Sequence, residues 1–273
     1  MTKIILITGA TSGIGLATAK SLVQGGHCVY GTYRSDSDES ILVENKVLPL
    51  KADMTDEASL KTAVQKIISE KGRIDVLFNN AGYGLFGPIE EVSIEAARKQ
   101  FEVNLFGLAR LTQLVLPHMR KQGEGVIINT SSMGGKIYTP LGAWYHATKY
   151  ALEGWSDCLR LEVKQFGIKV VIVEPGGIQT QWGAIAADNI AAVTKQGPYA
   201  KMGNAVAMSL RKRYAADGSL SSPQVIADVI VGAVSARRPK TRYVAGAFAR
   251  PLLLLRKFGG DRIFDWVALR SIE

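Results

Sequence analysis

Tyr145 and Lys149 stand four residues apart in Tyr145-His146-Ala147-Thr148-Lys149. On a helix that spacing puts a phenol and an ammonium on one face. A free phenol titrates near pH ~10, too high for a general base at neutral pH. A nearby positive charge favours the phenolate and lowers that value. The pair is therefore a candidate for moving a proton to or from a reacting oxygen. By itself the pair is ordinary on a surface helix. Its weight comes from Ser132, which precedes Tyr145 by 13 residues and is followed by Gly134-Gly135, a pair that permits a close turn.

A second constellation follows the first apolar run. Thr8-Gly9-Ala10-Thr11-Ser12-Gly13-Ile14-Gly15 opens a helical pattern. Glycines allow a tight turn and close approach of the backbone to a pyrophosphate. The helix start adds free N–H groups and the positive end of a dipole. The spacing differs from the common G-x-G-x-x-G fingerprint.

These residues need a scaffold. Runs rich in Ile, Val and Leu at 3–8, 27–32, 46–50, 74–78, 125–130 and 168–173 read as strands. They alternate with helical patterns ending near Gln24 and covering 56–70, 93–121 and 143–166. Leu60, Val64, Ile67 and Ile68 recur at helical spacing. Strands that are apolar throughout and joined by helices predict an α/β fold. The expected form is a doubly wound parallel sheet, Rossmann-like, with helices on both faces and a mostly helical C-terminal extension. The motifs fall at strand carboxyl ends, where such sheets bind ligands. The whole chain, 1–273, reads as one dinucleotide-binding catalytic domain, with 182–273 as substrate loop and basic extension.

The ordered motifs resemble the short-chain dehydrogenase/reductase family, whose glycine pattern is T-G-x-x-x-G-x-G. The marks continue with Asn79-Asn80-Ala81-Gly82 after the fourth strand, Asn104 in the long helix and Ser131-Ser132 after the fifth strand. Tyr-x-x-x-Lys at 145–149 follows, then Pro175-Gly176 after the sixth strand and Thr180 beyond it. The resemblance covers roughly residues 3–180. A tail at 221–245 looks like the branch holding 17β-hydroxysteroid and retinol dehydrogenase relatives.

The resemblance implies a catalytic set of Asn104, Ser132, Tyr145 and Lys149. Ser132 would hold the substrate oxygen beside Tyr145, Lys149 the nicotinamide ribose, and Asn104 a relay water. It also implies cofactor contacts from Gly9, Thr11, Ser12, Gly13, Ile14, Gly15, Asn80, Ala81, Gly82, Tyr145 and Lys149. Asp53 and Met54 resemble an adenine-contacting pair, although Asp53 reads equally well as a helix cap. Ile178 and Thr180 resemble carboxamide contacts. Pro175 ends a ladder, and Gly176 lets the backbone approach the ring.

The end of the second strand bears on cofactor choice. Tyr33 occupies the place where NAD-users of the family carry Asp, and Arg34 follows. A guanidinium fork suits a 2′-phosphate, so NADP(H) is the expected cofactor. Asp36 and Asp38 nearby oppose a phosphate. The expected activity is interconversion of an alcohol with a ketone or aldehyde. Aromatics at Tyr83, Phe86, Tyr138, Trp144, Trp182 and Tyr199 suggest an apolar substrate. The alternative is a dinucleotide-sensing protein without catalysis, which a whole catalytic set disfavours.

Composition narrows the field. The chain is 47% hydrophobic with mean hydropathy +0.09, so it can bury a core. Cys28 and Cys158 cannot build a disulfide framework, which fits a cytoplasmic setting. No apolar run approaches the ~20 residues that span a bilayer, and the first is too short for a signal peptide. His27, His118 and His146 are scattered, so no metal is expected. Residues 1–194 hold 19 basic and 19 acidic residues, whereas 195–273 hold 14 and 5. The net +9 is therefore a property of the tail. With no recognition motif, nucleic acid is not an expected partner. The segment 251–270 mixes leucines with arginines. Packing over the substrate opening or at a subunit interface is the favoured reading, and a membrane-surface helix is the other. The resemblance implies a homodimer or homotetramer through helices 93–121 and 143–166.

Overall fold

A computed structural model describes residues 1–215 and 219–272. The core begins with β1 (Ile4–Ile7), α1 (Gly13–Gln24), β2 (Cys28–Tyr33), α2 (Glu39–Glu44), β3 (Leu48–Lys51) and α3 (Glu57–Lys71). β4 (Val76–Asn79) leads to α4 (Ile94–Phe101), a π-helical turn at Glu102–Phe106, and α5 (Gly107–Gln122). Then come β5 (Gly125–Thr130), α6 (Ala143–Val163) and β6 (Ile168–Pro175). The rest holds α7 (Trp182–Val193), α8 (Ala200–Arg213), α9 (Pro223–Ser235), β7 (Arg242–Ala245) and α10 (Ala249–Arg270).

The strands form one sheet in the order β3-β2-β1-β4-β5-β6-β7, and every pairing is parallel. Parallel strands need crossovers, and helices on both faces supply them. Alternate residues of β1 therefore serve two cores. Leu6 faces the side of α3, α5 and α6 with Leu60, Leu111 and Leu159. Ile5 and Ile7 face α1 and α9 with Leu22, Ile226 and Ile230. Each fully buried Leu or Ile contributes roughly 1.5–3 kcal/mol of transfer free energy. The doubly wound sheet expected from the apolar runs is present, with a helical C-terminal region.

Two elements differ from the sequence reading. The pattern at 93–121 contains a π turn, closed by the Gly107 N–H on the Glu102 carbonyl. Gly107 also lies against Met54, since a Cβ there would sit 2.1 Å from the Met54 carbonyl oxygen. β7 was not expected, because its four residues follow a charged, Pro-containing run. Its Arg242 joins Glu153, Asp157 and Glu174, so tertiary ion pairing and the β6 edge place it.

Candidate active site

The glycine loop is built for close approach. Gly9 and Gly13 have φ of 63° and 51°, the left-handed region that disfavours residues with a Cβ. A Cβ on Gly15 would lie 2.1 Å from the Gly9 carbonyl oxygen and 2.7 Å from Asn80 Nδ2. One on Gly13 would lie 3.1 Å from Thr180 Cγ2, so the loops after β1 and β6 face each other. The Ser12 side chain does not cap α1. The first-turn N–H groups of α1 are therefore left for an anion, and Thr11, Ser12 and Ile14 line this turn. The cradle fits a dinucleotide pyrophosphate.

The loop after β4 is clamped to it. Thr8 Oγ1 accepts from the N–H groups of Asn80 and Ala81 at 2.9 and 3.0 Å. Asn80 Nδ2 donates back to the Thr8 and Gly9 carbonyls, both at 3.1 Å. Gly82 then comes to Asn104 and Lys149: a Cβ on it would be 3.1 Å from Asn104 Oδ1 and 3.9 Å from Lys149 Nζ.

Asn104 lies within the π turn and is 1% exposed. Its amide holds both backbone groups of Tyr83 and donates to Thr148 Oγ1 at 3.2 Å. Such turns recur at functional sites because they re-aim side chains out of an otherwise regular helix. Lys149 Nζ donates to the Thr130 carbonyl at 2.8 Å. Ser132 Oγ accepts from the Gly134 N–H at 2.9 Å. The Tyr145 ring packs on Phe86 at 5.6 Å and Trp182 at 5.4 Å between centroids.

The electrostatics depart from the expectation at Tyr145. Burial pushes its phenol up to about 12, and the Ser132 hydroxyl opposes this by hydrogen bonding to it. Lys149 does not pull the phenol down here, since its ammonium is turned to Thr130. Burial lowers Lys149 itself to about 8, against a smaller upward pull from Glu153. The site therefore holds a protonated phenol at neutral pH beside a weakened ammonium.

Around the expected adenosine end, Arg34 is exposed and helps to hold the Asp53 carboxyl below its ordinary value. The leading cause of that shift is the Thr55 N–H. Asp53 Oδ1 accepts from Thr55, and the cap of α3 is Asp56 instead. Asp36 is paired with Lys51 at 2.6 Å, which offsets its charge against a phosphate. Beyond β6, Ile178 buries its side chain in the core, leaving only its backbone for a ligand. Pro175 closes the β6 ladder opposite Ala245. Gly176 has a packing reason of its own: a Cβ there would meet the Ala247 carbonyl oxygen at 2.3 Å.

The aromatic expectations divide. Phe86 and Trp182 reach Tyr145, and Tyr214, which is not among the expected aromatics, packs on Trp182 at 6.1 Å. Tyr138 instead packs on Phe264 of α10, and Trp144 lines a groove with Ile94, Phe101 and Phe106. Two further groups escaped the sequence reading. His146 holds the Gly134 carbonyl through Nδ1 at 2.8 Å and receives the Thr139 N–H on Nε2 at 3.1 Å. Beneath the site, Asn79 donates to Asn129 and Asn129 to Ser156, both at 2.9 Å. A signal was present in the sequence: Asn79 ends an apolar strand and Asn129 is the last residue but one of another.

A parallel sheet with a phosphate-shaped glycine cradle and a Ser/Tyr/Lys cluster at its carboxyl edge defines a dinucleotide-dependent oxidoreductase class. The family model described as short chain dehydrogenase matches residues 3–190. The 3-ketodihydrosphingosine reductase of Bacteroides thetaiotaomicron is 47% identical over 178 residues, 65% of this chain and 65% of that protein. The uncharacterized oxidoreductase YbbO of Escherichia coli is 34% identical over 97% of this chain and 93% of its own length. A short-chain dehydrogenase structure from Streptomyces avermitilis superimposes with TM-score 0.77 and 30% identity, covering 99% of this chain and 98% of that one. The chain belongs to the short-chain dehydrogenase/reductase family.

Proposed function

We propose that this protein is an NADP(H)-dependent oxidoreductase that interconverts an apolar alcohol with its ketone or aldehyde. The observation that carries the reading is Tyr145, hydrogen-bonded by Ser132 and one helical turn from Lys149, packed against an aromatic wall of Phe86 and Trp182 backed by Tyr214. The dinucleotide would lie across the cradle of Gly9, Thr11, Ser12, Gly13, Ile14 and Gly15. Asn80, Ala81 and Gly82 would flank it, with Asp53 and Met54 at the adenine and Pro175, Gly176, Ile178 and Thr180 at the nicotinamide. When bound, the nicotinamide supplies the hydride chemistry.

The chain's own residues supply the proton and the orientation. Ser132 Oγ hydrogen-bonds the substrate oxygen. Tyr145 Oη gives its proton to that oxygen in reduction and takes it back in oxidation. Its high pKa suits the donor role at neutral pH. Lys149 leaves Thr130 or shares it to hold the ribose, and its charge then stabilises the phenolate left after transfer. Asn104, in the π turn, orders the loop at Tyr83 beside Lys149.

Arg34 supports the NADP choice, since no described carboxylate pairs with it and the Lys51 pair offsets Asp36. The wall around Tyr145 supports an apolar substrate, in keeping with the 17β-hydroxysteroid and retinol dehydrogenase likeness of the tail. On this reading the whole chain acts as one catalytic unit in the cytoplasm, as a homodimer or homotetramer. Ile94 and Phe106, exposed beside Trp144, support self-association at α4 and α5.

Fluorescence titration with NADPH and NADH tests the cofactor. A panel of apolar ketones and alcohols with the preferred nucleotide then tests the reaction. Turnover lost in Tyr145→Phe is expected. Tighter NADH binding, or turnover intact in that variant, overturns the cofactor or the mechanism respectively.

A further inference from the structure

Helix α10 breaks at Gly260, where φ of 67° and ψ of −178° leave the helical region, and each of its two halves is apolar on two sides. Its inner face packs Leu252, Leu253, Phe264 and Ala268 against Ile137 and Tyr138. The outer side of the first half leaves Leu254 and Phe258 in solvent and that of the second leaves Ile263, Trp266 and Leu269, with Phe258 77% and Trp266 57% exposed. Leu254 and Phe258 are four apart, and Ile263 and Trp266 three apart, so each half of the helix presents its pair on one side. A helix with apolar residues on both faces is ordinarily covered on both.

The charges around the outer face say what covers it. Arg250, Lys257, Arg262 and Arg270 are exposed there and none forms an ion pair with a described residue. Lys257 lies over the Phe258 ring at 5.3 Å and Arg270 over Trp266 at 4.7 Å. The helix's two carboxylates are engaged elsewhere, Asp261 with Arg256 at 2.6 Å and Asp265 with the Tyr138 hydroxyl at 2.8 Å. Bulky apolar and aromatic side chains interleaved with unpaired cations suit an interface whose interior is hydrocarbon and whose surface is anionic. A second copy of the same face would set four cations against four cations, and the contact between identical patches would be repulsive.

We propose that the exposed sides of the two halves of α10 dock this protein on an anionic lipid surface. The leucines and aromatics enter the headgroup boundary while the arginines and lysine meet lipid phosphates. α10 is tied to the segment after Ser132 through Tyr138, and the turn after it is tied to α8 through the Arg213 bond to the Ser271 carbonyl at 2.9 Å.

The test is co-sedimentation of the full chain with vesicles of phosphatidylcholine alone or mixed with phosphatidylglycerol. Binding to the mixed vesicles only is expected, falling with added salt. Phe258→Ser with Trp266→Ser, and separately Lys257→Glu with Arg262→Glu, should each weaken it at least about tenfold. Unchanged melting and unchanged turnover of a water-soluble carbonyl would show that both variants fold. The wild type should also show a blue shift of emission on vesicles that Trp266→Phe removes. Failure of the wild type to sediment with anionic vesicles overturns the proposal, as does undiminished binding by both folded variants. A change of oligomeric mass in either variant also overturns it, since a second copy would then be the occupant.

Discussion

Asn104 grips one residue by both of its backbone groups: Oδ1 accepts the Tyr83 N–H at 3.0 Å and Nδ2 donates to the Tyr83 carbonyl at 2.9 Å. The same Nδ2 reaches Thr148 on α6. One buried amide thereby joins the loop after β4, the π turn and the helix carrying Tyr145 and Lys149. Asn104→Ala would orphan the Tyr83 groups at a cost of about 2 kcal/mol. A drop in Tm of about 4–8 °C with a larger loss of turnover is expected, read by thermal melts and steady-state rates. A melt unchanged from wild type would refute the clamp.

Tyr145→Phe keeps the ring against Phe86 and Trp182 and removes only the hydroxyl. Nucleotide binding and melting temperature should therefore hold, while turnover falls by roughly 10²–10⁴. Single-turnover rates with a proven substrate separate the chemical step from binding.

Lys149 carries a stability cost with a definite pH signature. Its pKa is lowered to about 8 by burial, against about 10.4 in an unfolded chain. Between those values the unfolded state holds a proton that the native state has lost, so stability rises with pH across that window. Below it the buried ammonium is destabilising in full. Lys149→Met should match or exceed the wild-type Tm at pH 7, lose that advantage by pH ~10, and be inactive. Melts at the two pH values decide it.

His146 behaves in the opposite pH range. Burial lowers its pKa, with a smaller upward pull from the Gly134 carbonyl. Its Nε2 must stay unprotonated to accept from Thr139. The unfolded chain takes up a proton first as pH falls through about 6.5, so the native state loses stability there. His146→Phe removes the bonds to Gly134 and Thr139, should cost about 1–3 kcal/mol, and should flatten the acid limb of Tm against pH. It should also lower kcat more than it raises KM, because the segment after Ser132 loses its anchor.

Arg34→Ala should weaken NADPH binding by about tenfold or more, the worth of a charge-assisted bond to phosphate, and leave NADH nearly unaffected. Equal losses for both nucleotides would place Arg34 away from the 2′-phosphate.

The alternation of apolar runs and helical patterns was enough to read the parallel sheet, because strands buried on both faces must be apolar throughout. The glycines at 9, 13 and 15 were legible for a similar reason: Gly9 and Gly13 take φ of 63° and 51°, and a Cβ on Gly15 would sit 2.1 Å from the Gly9 carbonyl oxygen. Tyr145 and Lys149 were legible because four residues make one helical turn. What lay outside that reach depends on partners distant in the chain. β7 exists because Arg242 finds Glu153, Asp157 and Glu174, and the π turn because α5 must pass Met54 while Asn104 meets Tyr83. Tyr138 and Trp144 were assigned to the substrate side by their type, but neighbours distant in sequence took them to α10 and to the α4 groove. The phenol's high pKa is likewise a tertiary fact, since burial is a property of the packed site. Local spacing determined which groups share a face and where backbone must be bare. Only packing decided which groups lose water and which charges find each other, because both depend on contacts between residues far apart in the chain.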